Sequence, residues 1–389
     1  AEILPTADFD FTRNTTATRV NESGLIETVA ANIPRIDFLS GVGAYLNEPQ
    51  STNSFDYSQD FSDTYWDKIG VTIGSNVTTS PEGITNAYKI KESSGGTYHN
   101  INWDGSVTSG TTYTVSVFLK ASERTTASIY ENVGIGGGTY PLSSFNLTTG
   151  AVDSENTNHT ATIENYGNGW FRCSITFTPD ASRSGSIYIA PNNTLTYTGV
   201  TDSGVFIYGA QMEERLYKTS LIPTSGATVT RNKDLATNAG NTDLINSPEG
   251  VLYINAAGLN RTFLIKNRIS LSDGTTNNEI RFDFGDVEDR VILRVRVGSS
   301  NVATKTITGT YNISQYHKYA IQWKLNDFKF YIDGVEVGTD TSGATYSANT
   351  LDRLNIATGS ASQPLEANIK CIAVFKEILT DAELVTLTS

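Results

Sequence analysis

The sequence predicts an all-β protein: two antiparallel β-sandwiches (jelly rolls) in tandem behind an extended N-terminal leader. Three observations carry that expectation. Charged residues make up 18% of the 389 and hydrophobic residues 38%, the rest being rich in Thr, Ser, Asn and Gly. That mixture suits short strands joined by polar turns. Runs of alternating apolar and polar residues recur along the chain, divided by glycine- and asparagine-rich stretches. Helix signals are confined to the C-terminus.

Residues 1–50 read as a leader. Asp8-Phe9-Asp10-Phe11 alternates like a short strand, and Val20-Asn21-Glu22-Ser23-Gly24-Leu25-Ile26 reads as strand, turn, strand. The segment has too few apolar residues for a core of its own and should pack on a neighbour or a partner. Residues 51–235 read as the first sandwich. Tyr113, Val115, Val117 and Leu119 share one strand face, and Phe171, Cys173, Ile175 and Phe177 share another. Ser186-Ile187-Tyr188-Ile189-Ala190 and Val205-Phe206-Ile207-Tyr208 follow, with turns at 134–138 and 165–169. Residues 236–250 are polar and Asn-rich and read as a linker.

The second sandwich spans 251–389. Its clearest hairpin places Asp333-Gly334 between two alternating runs, a type I′ turn signal. Thr380 can cap a helix opening at Asp381, with Glu383 at the capping-box position. Cys173 and Cys371 fall in different sandwiches and in apolar runs, so both are expected as buried free thiols.

The net charge of −13 argues against nucleic acid and against an anionic membrane surface. No apolar run of about 18 residues is present, so no membrane insertion is expected. Ala1-Glu2-Ile3-Leu4-Pro5 lacks the features of a signal peptide, although a trimmed chain leaves export open. Sequons such as Asn76-Val77-Thr78 arise by composition in a chain this rich in Asn and Thr.

Several short motifs occur in a telling order. They are Phe9-Asp10-Phe11-Thr12-Arg13, Thr16-Ala17-Thr18-Arg19-Val20, Ala30-Ala31-Asn32-Ile33-Pro34-Arg35-Ile36-Asp37 and Leu46-Asn47-Glu48-Pro49-Gln50. Phe61-Ser62, Trp66-Asp67-Lys68, Ser220-Leu221-Ile222-Pro223-Thr224-Ser225-Gly226 and Val229-Thr230-Arg231 continue the series. This series resembles bacteriophage head-spike and tail-fibre proteins. Separately, Lys318-Tyr319-Ala320-Ile321-Gln322-Trp323, Tyr331-Ile332-Asp333-Gly334 and Leu379-Thr380-Asp381-Ala382-Glu383-Leu384 resemble a laminin-G/concanavalin-like domain. The resemblance implies a jelly roll similar to carbohydrate-binding modules in 51–235. It also implies a virion-surface protein, on head or tail, that binds host-surface glycans. Residues 1–50 would anchor it to other virion proteins, and it would assemble as a homo-oligomer, a trimer being one form. Ser51 departs from the pattern by standing where an arginine is expected, which leaves any ion pair there in doubt. A secreted bacterial polysaccharide-binding or polysaccharide-degrading protein is the alternative, and a purely structural capsid decoration is the second.

A glycosidase needs two carboxylates roughly 5–10 Å apart across a cleft. Strand alternation puts Glu279, Arg281 and Asp283 on one face, but the two acids fall roughly 13 Å apart at ~3.3 Å per residue. Arg281 between them is expected to lower both pKa values. The run reads as a solvent-facing charge ladder. No Gly-x-Ser-x-Gly elbow is present, and Gly134-Ile135-Gly136-Gly137-Gly138 precedes no helix. His99, His159 and His317 read as ordinary polar surface residues. No catalytic role is assigned, and no enzyme is expected.

Sugar sites stack an aromatic face on a pyranose and hydrogen-bond its hydroxyls with Asn, Asp, Gln or Arg. The chain has 19 tyrosines and 4 tryptophans. The expected ligand-binding residues are Tyr98, His99 and Trp103, with Tyr65 and Trp66. His99, Ile101 and Trp103 share one strand face, while Asn100, Asn102 and Asp104 take the other. Trp103 reads either as a sugar platform or as a cap on the core, and Tyr65 and Trp66 also fit a core. No cofactor is assigned. A structural Ca2+ is open, with Asp273-Gly274 to Asn278-Glu279 and Asp202 as contributors of oxygen.

Overall fold

The computed structural model describes residues 9–134, 138 and 140–389. The start of the expected strand at Asp8 and the Ile135-Gly136-Gly137 part of the glycine-rich turn lie outside the described residues. So does Ala1 to Pro5. The fold is all-β with one short helix, and every strand pair described is antiparallel. The chain forms two compact units, each discontinuous in sequence.

The central unit comprises Ala17–Thr28 and Ser51–Arg231. Its first six-stranded sheet runs in the order Ala151–Ser154, Leu142–Asn146, Thr126–Glu131, Arg183–Ala190, Asn100–Val107 and Asp67–Ile69. The second runs Thr160–Asn165, Trp170–Phe177, Tyr113–Ala121, Gly204–Glu213, Thr85–Glu92 and Val71–Thr79. β-branched and apolar residues at every second position turn inward from both sheets. Ile101, Ile129, Ile187 and Ile189 meet Val115, Val117, Ile175 and Ile207 in one core. Cys173 lies in that core, and burial pushes its thiol pKa up. Ser51, in place of the expected arginine, donates its hydroxyl to the buried Glu213 at 2.6 Å. Glu213 also accepts the Thr219 backbone N–H at 2.9 Å.

The carboxy-terminal unit comprises the chain up to Thr16, Val29–Gln50 and Asn232–Ser389. A seven-stranded sheet runs Val335–Asp340, Phe328–Ile332, His317–Trp323, Gly250–Gly258, Ala367–Phe375, Ala44–Asn47 and Ile36–Asp37. A five-stranded sheet runs Ser300–Thr308, Arg290–Val297, Glu279–Phe284, Asn267–Ser272 and Arg353–Asn355. The two meet through rings such as Phe282 and Tyr319, with centroids 4.6 Å apart. Residues 36–47, read as leader, supply two strands here. Tyr45, Leu46 and Asn47 pair with Ile369, Asn368 and Ala367. Residues 236–250, read as linker, are packed: Ala236, Ala239, Ile245 and Ser247 are buried, and Trp323 Nε1 donates to the Ser247 carbonyl at 3.0 Å. Polar composition misled there because Asn and Ser side chains serve backbone groups rather than solvent.

The Asp333-Gly334 turn has φ of 48° and 76°, the left-handed pair a type I′ hairpin needs. Cys371 is exposed, against the expectation of a buried thiol. The pairing of Ala367–Phe375 with Gly250–Gly258 shifts register between Asn255 and Ala256, and this bulge resets the alternation just before Cys371. The helix Asp381–Thr388 opens with a complete capping box. Glu383 N–H donates to Thr380 Oγ1 at 3.3 Å, and Thr380 N–H donates to Glu383 Oε2 at 2.8 Å. Thr380→Ala is expected to cost about 1 kcal/mol, seen as a lower denaturation midpoint. An unchanged midpoint would show that the helix contributes nothing to the unit. Among the described residues no helix is long and apolar enough to cross a membrane.

Candidate functional site

The strand Asn100–Val107 organises the site. Its alternation turns Ile101 into the core and leaves Asn100, Asn102 and Asp104 on the opposite face of the sheet. On the neighbouring strand Asn102 stands opposite Tyr188. Tyr188 stands opposite Tyr130, and Ser128 opposite Ala190. One outer sheet face therefore carries Asn100, Asn102, Asp104, Ser128, Tyr130, Ser186 and Tyr188.

The tyrosines form the aromatic part. Tyr130 and Tyr188 are stacked, with centroids 4.5 Å apart and planes 9° apart. Tyr140 stands edge-on to both, at 6.5 and 6.0 Å. Tyr98 and Tyr140 are 44% and 41% exposed and form the rim. Burial, then the charge of the Tyr188 phenol, holds the Tyr130 pKa above its ordinary value, with Tyr98 and Tyr140 adding to the effect. Four phenols thus converge on one spot, each able to donate and accept a hydrogen bond.

The polar part fixes those rings. Asn100 Nδ2 donates to Tyr130 OH at 2.8 Å, and Asn132 Nδ2 to Tyr188 OH at 3.3 Å. Asn102 Nδ2 donates to Asp104 Oδ1 at 3.1 Å, and Ser186 Oγ donates to the same oxygen. Asn100 Oδ1, Asn102 Oδ1 and Ser128 Oγ are buried and find no protein hydrogen-bond partner. Leaving such a group unsatisfied costs about 1–3 kcal/mol, so each calls for a partner from outside the protein. Two carbonyl acceptors and a hydroxyl share this face with the tyrosines; Tyr130 is 2% exposed, so Tyr188, Tyr98 and Tyr140 offer the accessible rings that a sugar needs.

Of the residues expected from sequence, Tyr98 lies at this rim. The others do not reach it. Trp66 is 1% exposed, sits among Phe55, Phe61 and Tyr65, and donates Nε1 to the Tyr57 carbonyl at 2.8 Å. Trp103 packs partly buried on Phe55 at 5.5 Å, its indole lying across Gly105, where a Cβ would come within 1.9 Å. Tyr65 accepts the Asp56 N–H at 3.0 Å, and burial pushes its pKa up to about 12. His99 is buried, its Nε2 bonded to the Gly95 carbonyl at 2.9 Å and its ring against Tyr197 at 4.6 Å. His99 is thus buried rather than a surface residue, and for Tyr65, Trp66 and Trp103 the packing agrees with the core alternative. Tyr65, Trp66 and Trp103 face the core because they share strand phase or cluster with it. The missed residues had a signal: Ser128-Ile129-Tyr130 and Ser186-Ile187-Tyr188 repeat one tripeptide, each with Tyr opposite in phase to a core Ile.

His159 is also buried rather than on the surface. Its Nδ1 meets Ser143 Oγ at 2.9 Å, and its Nε2 lies 3.5 Å from Glu131. His317 is half-buried and pairs with Asp333 at 2.6 Å. The Glu279–Arg281–Asp283 ladder is buried, not solvent-facing. Arg281 does bridge the acids, at 2.6 Å to Glu279 and 3.0 Å to Asp283. Burial nevertheless wins: both carboxyl pKa values lie above the ordinary range, with Arg281 opposing. Neither acid is open to solvent.

The residues suggested for Ca2+ spend their oxygens locally. Asp273 accepts from Thr275 N at 2.9 Å and Asn278 Nδ2 at 2.8 Å, and Asp202 pairs with Lys91 at 2.5 Å. Among the described residues no group of three or more His, Cys, Asp or Glu is placed to hold a metal. The carboxy-terminal unit also has a cleft of about 580 Å3, lined by Phe9, Phe11, Ile36, Tyr45 and Ile369 among others. Its apolar lining lacks the convergent polar groups a sugar needs.

Residues 252–385 match the laminin G family described as the concanavalin A-like lectin/glucanases superfamily, so this stretch carries a concanavalin-like domain. No curated protein matches the chain. Solved structures give faint likenesses. The CBM40 module of the Ruminococcus gnavus IT-sialidase bound to α2,3-sialyllactose is 15% identical over 39% of this chain and 94% of that one, with a TM-score of 0.32. Mouse laminin α1 domains LG4-5 are 8% identical over 83% and 88%, with a TM-score of 0.26. Tail fiber protein gp63.1 from an E. coli phage is 10% identical over 84% and 41%, with a TM-score of 0.22. Likenesses this faint carry nothing about ligand or assembly.

Proposed function

We propose that the protein binds glycans, without catalysis, through the tyrosine-lined sheet face of its central unit, and that it does so as a component of a virion surface facing host glycans. One observation carries the glycan reading: the stacked Tyr130–Tyr188 pair shares a sheet face with three buried polar atoms that lack a protein partner. The residues of that face include the carboxylate of Asp104 and neither Lys nor Arg, which favours a neutral sugar over an acidic one. The virion reading rests on the ordered motifs of residues 9–68 and 220–231. Residues 1–50 would contact other virion proteins, and the chain would assemble with copies of itself.

A glycan array on the full chain tests the site. Truncating a central aromatic hot spot costs about 2 kcal/mol, so Tyr188→Ala is expected to weaken retention of any bound glycan roughly 30-fold. Trp103→Ala, on the core side, should lower stability and leave affinity unchanged in the folded protein. Equal binding by the Tyr188→Ala protein would move the site elsewhere, and no binding by the parent protein would remove the reading. Mass spectrometry of virions and light scattering test the assembly. A strict monomer absent from virions would end that part.

A further inference from the structure

A second face, in the carboxy-terminal unit, has the opposite electrostatic character. On the strand Glu279–Phe284, Ile280, Phe282 and Phe284 are buried in the core, while Glu279, Arg281 and Asp283 take the other face. Register sets Glu279 opposite Arg296 and Arg281 opposite Arg294. It sets Asp283 opposite Arg268. Four guanidiniums therefore share one sheet face with two carboxylates.

The two carboxylates are outnumbered, although Glu279 Oε2 and both Asp283 oxygens accept no hydrogen bond. Arg281 bridges both, and Arg268 lies 3.3 Å from Asp283 while also bonding Gln363. Arg294 and Arg296 make no side-chain hydrogen bond or ion pair among the described residues, and the Nε of each is buried without a partner. Burial, followed by repulsion from Arg281, lowers the Arg294 pKa against the attraction of Asp283 and Glu279. Both side chains are half-buried, and the neighbouring strand offers exposed Thr304 opposite Arg294. The cluster is thus closed beneath and open along that strand. Unpaired, half-desolvated guanidiniums are costly unless an anion joins them, and their planar forks suit a two-oxygen partner.

We propose that Arg294 and Arg296 bind an oxyanion, the sulfate or carboxylate of an acidic saccharide, on the outer face of the five-stranded sheet. The local excess of guanidinium would do this against a net charge of −13 for the whole chain. The site is independent of the tyrosine face and of a neutral sugar there.

Calorimetric titration of the full chain with dextran sulfate, hyaluronate and neutral dextran tests it. Dextran sulfate, hyaluronate or both should bind, and neutral dextran should not bind through these arginines. Binding of dextran sulfate alone assigns sulfate, and of hyaluronate alone carboxylate. Arg294→Gln and Arg296→Gln should each weaken polyanion binding about tenfold, the loss of one charged two-point contact. Lys324→Gln, which removes the same charge from an exposed pair with Glu249, should change nothing. Tyr188→Ala should leave polyanion binding intact, which separates failure here from failure of the tyrosine face. Binding of neither polyanion, or equal losses in Lys324→Gln, would overturn the proposal. If Arg294→Gln fails to fold, Arg296→Gln decides by the same criteria.

Discussion

Asp234→Ala is expected to destabilise the carboxy-terminal unit by about 3–5 kcal/mol, the cost of stranding buried charge. The Asp234 carboxylate is fully buried. Its Oδ1 accepts Arg13 Nη1 at 3.0 Å, and its Oδ2 accepts Arg35 Nη2 and the Glu48 backbone N–H, the latter at 2.9 Å. Arg35 reaches a second acid, Glu48, at 2.8 Å. Burial works against the charged form of both arginines. For Arg35 two carboxylates outweigh it, and the pKa lies above the ordinary value; for Arg13, beside one, burial wins and the pKa falls. Without Asp234, Arg13 loses its only carboxylate partner among the described residues, while Arg35 keeps Glu48. Denaturant unfolding followed by tryptophan fluorescence would read the loss. Asp234→Asn, which keeps shape and some hydrogen bonds, should cost less than alanine. A loss below about 1 kcal/mol in the alanine variant would show that water reaches the arginines.

Trp66→Ala is expected to destabilise the central unit by about 3–5 kcal/mol through lost burial and a cavity. Trp66 is enclosed by Phe55 at 5.1 Å and Phe61 at 5.4 Å, and its indole N–H has a fixed acceptor in the Tyr57 carbonyl. Trp66→Phe should recover most of the packing and lose the hydrogen bond, at about 1 kcal/mol. Both variants, where folded, should bind glycans as the parent does. A loss of glycan binding without a loss of stability would return Trp66 to the ligand side and contradict its burial.

The pair of predictions shows where sequence reasoning ran short. The motifs around Arg13, Arg35 and Glu48 were visible as an ordered series, but nothing local joins them to Asp234. The contacts span 221 and 199 residues for Arg13 and Arg35. Trp66 looked like a sugar platform because a tryptophan beside a tyrosine reads alike in a core and on a rim. The Glu279–Arg281–Asp283 ladder looked solvent-facing because alternation reports only that a face is opposite the core. It does not report whether loops and neighbouring side chains then cover that face.

What the sequence determined by itself is local. It set the all-β class, the phase of Asn100, Asn102 and Asp104 against Ile101, the Asp333-Gly334 turn and the Thr380 cap. Each follows from side-chain period, backbone φ or a bond between residues a few positions apart. Tertiary structure alone decided which strands meet and what is dry. It brought Tyr130 beside Tyr188 and left three polar atoms of the same face without protein partners. It wove residues 36–47 into a sheet with 367–369 and set four arginines beside two acids on one sheet face. Cross-strand neighbours and solvent exclusion depend on distant segments arriving together, and no local pattern encodes that arrival.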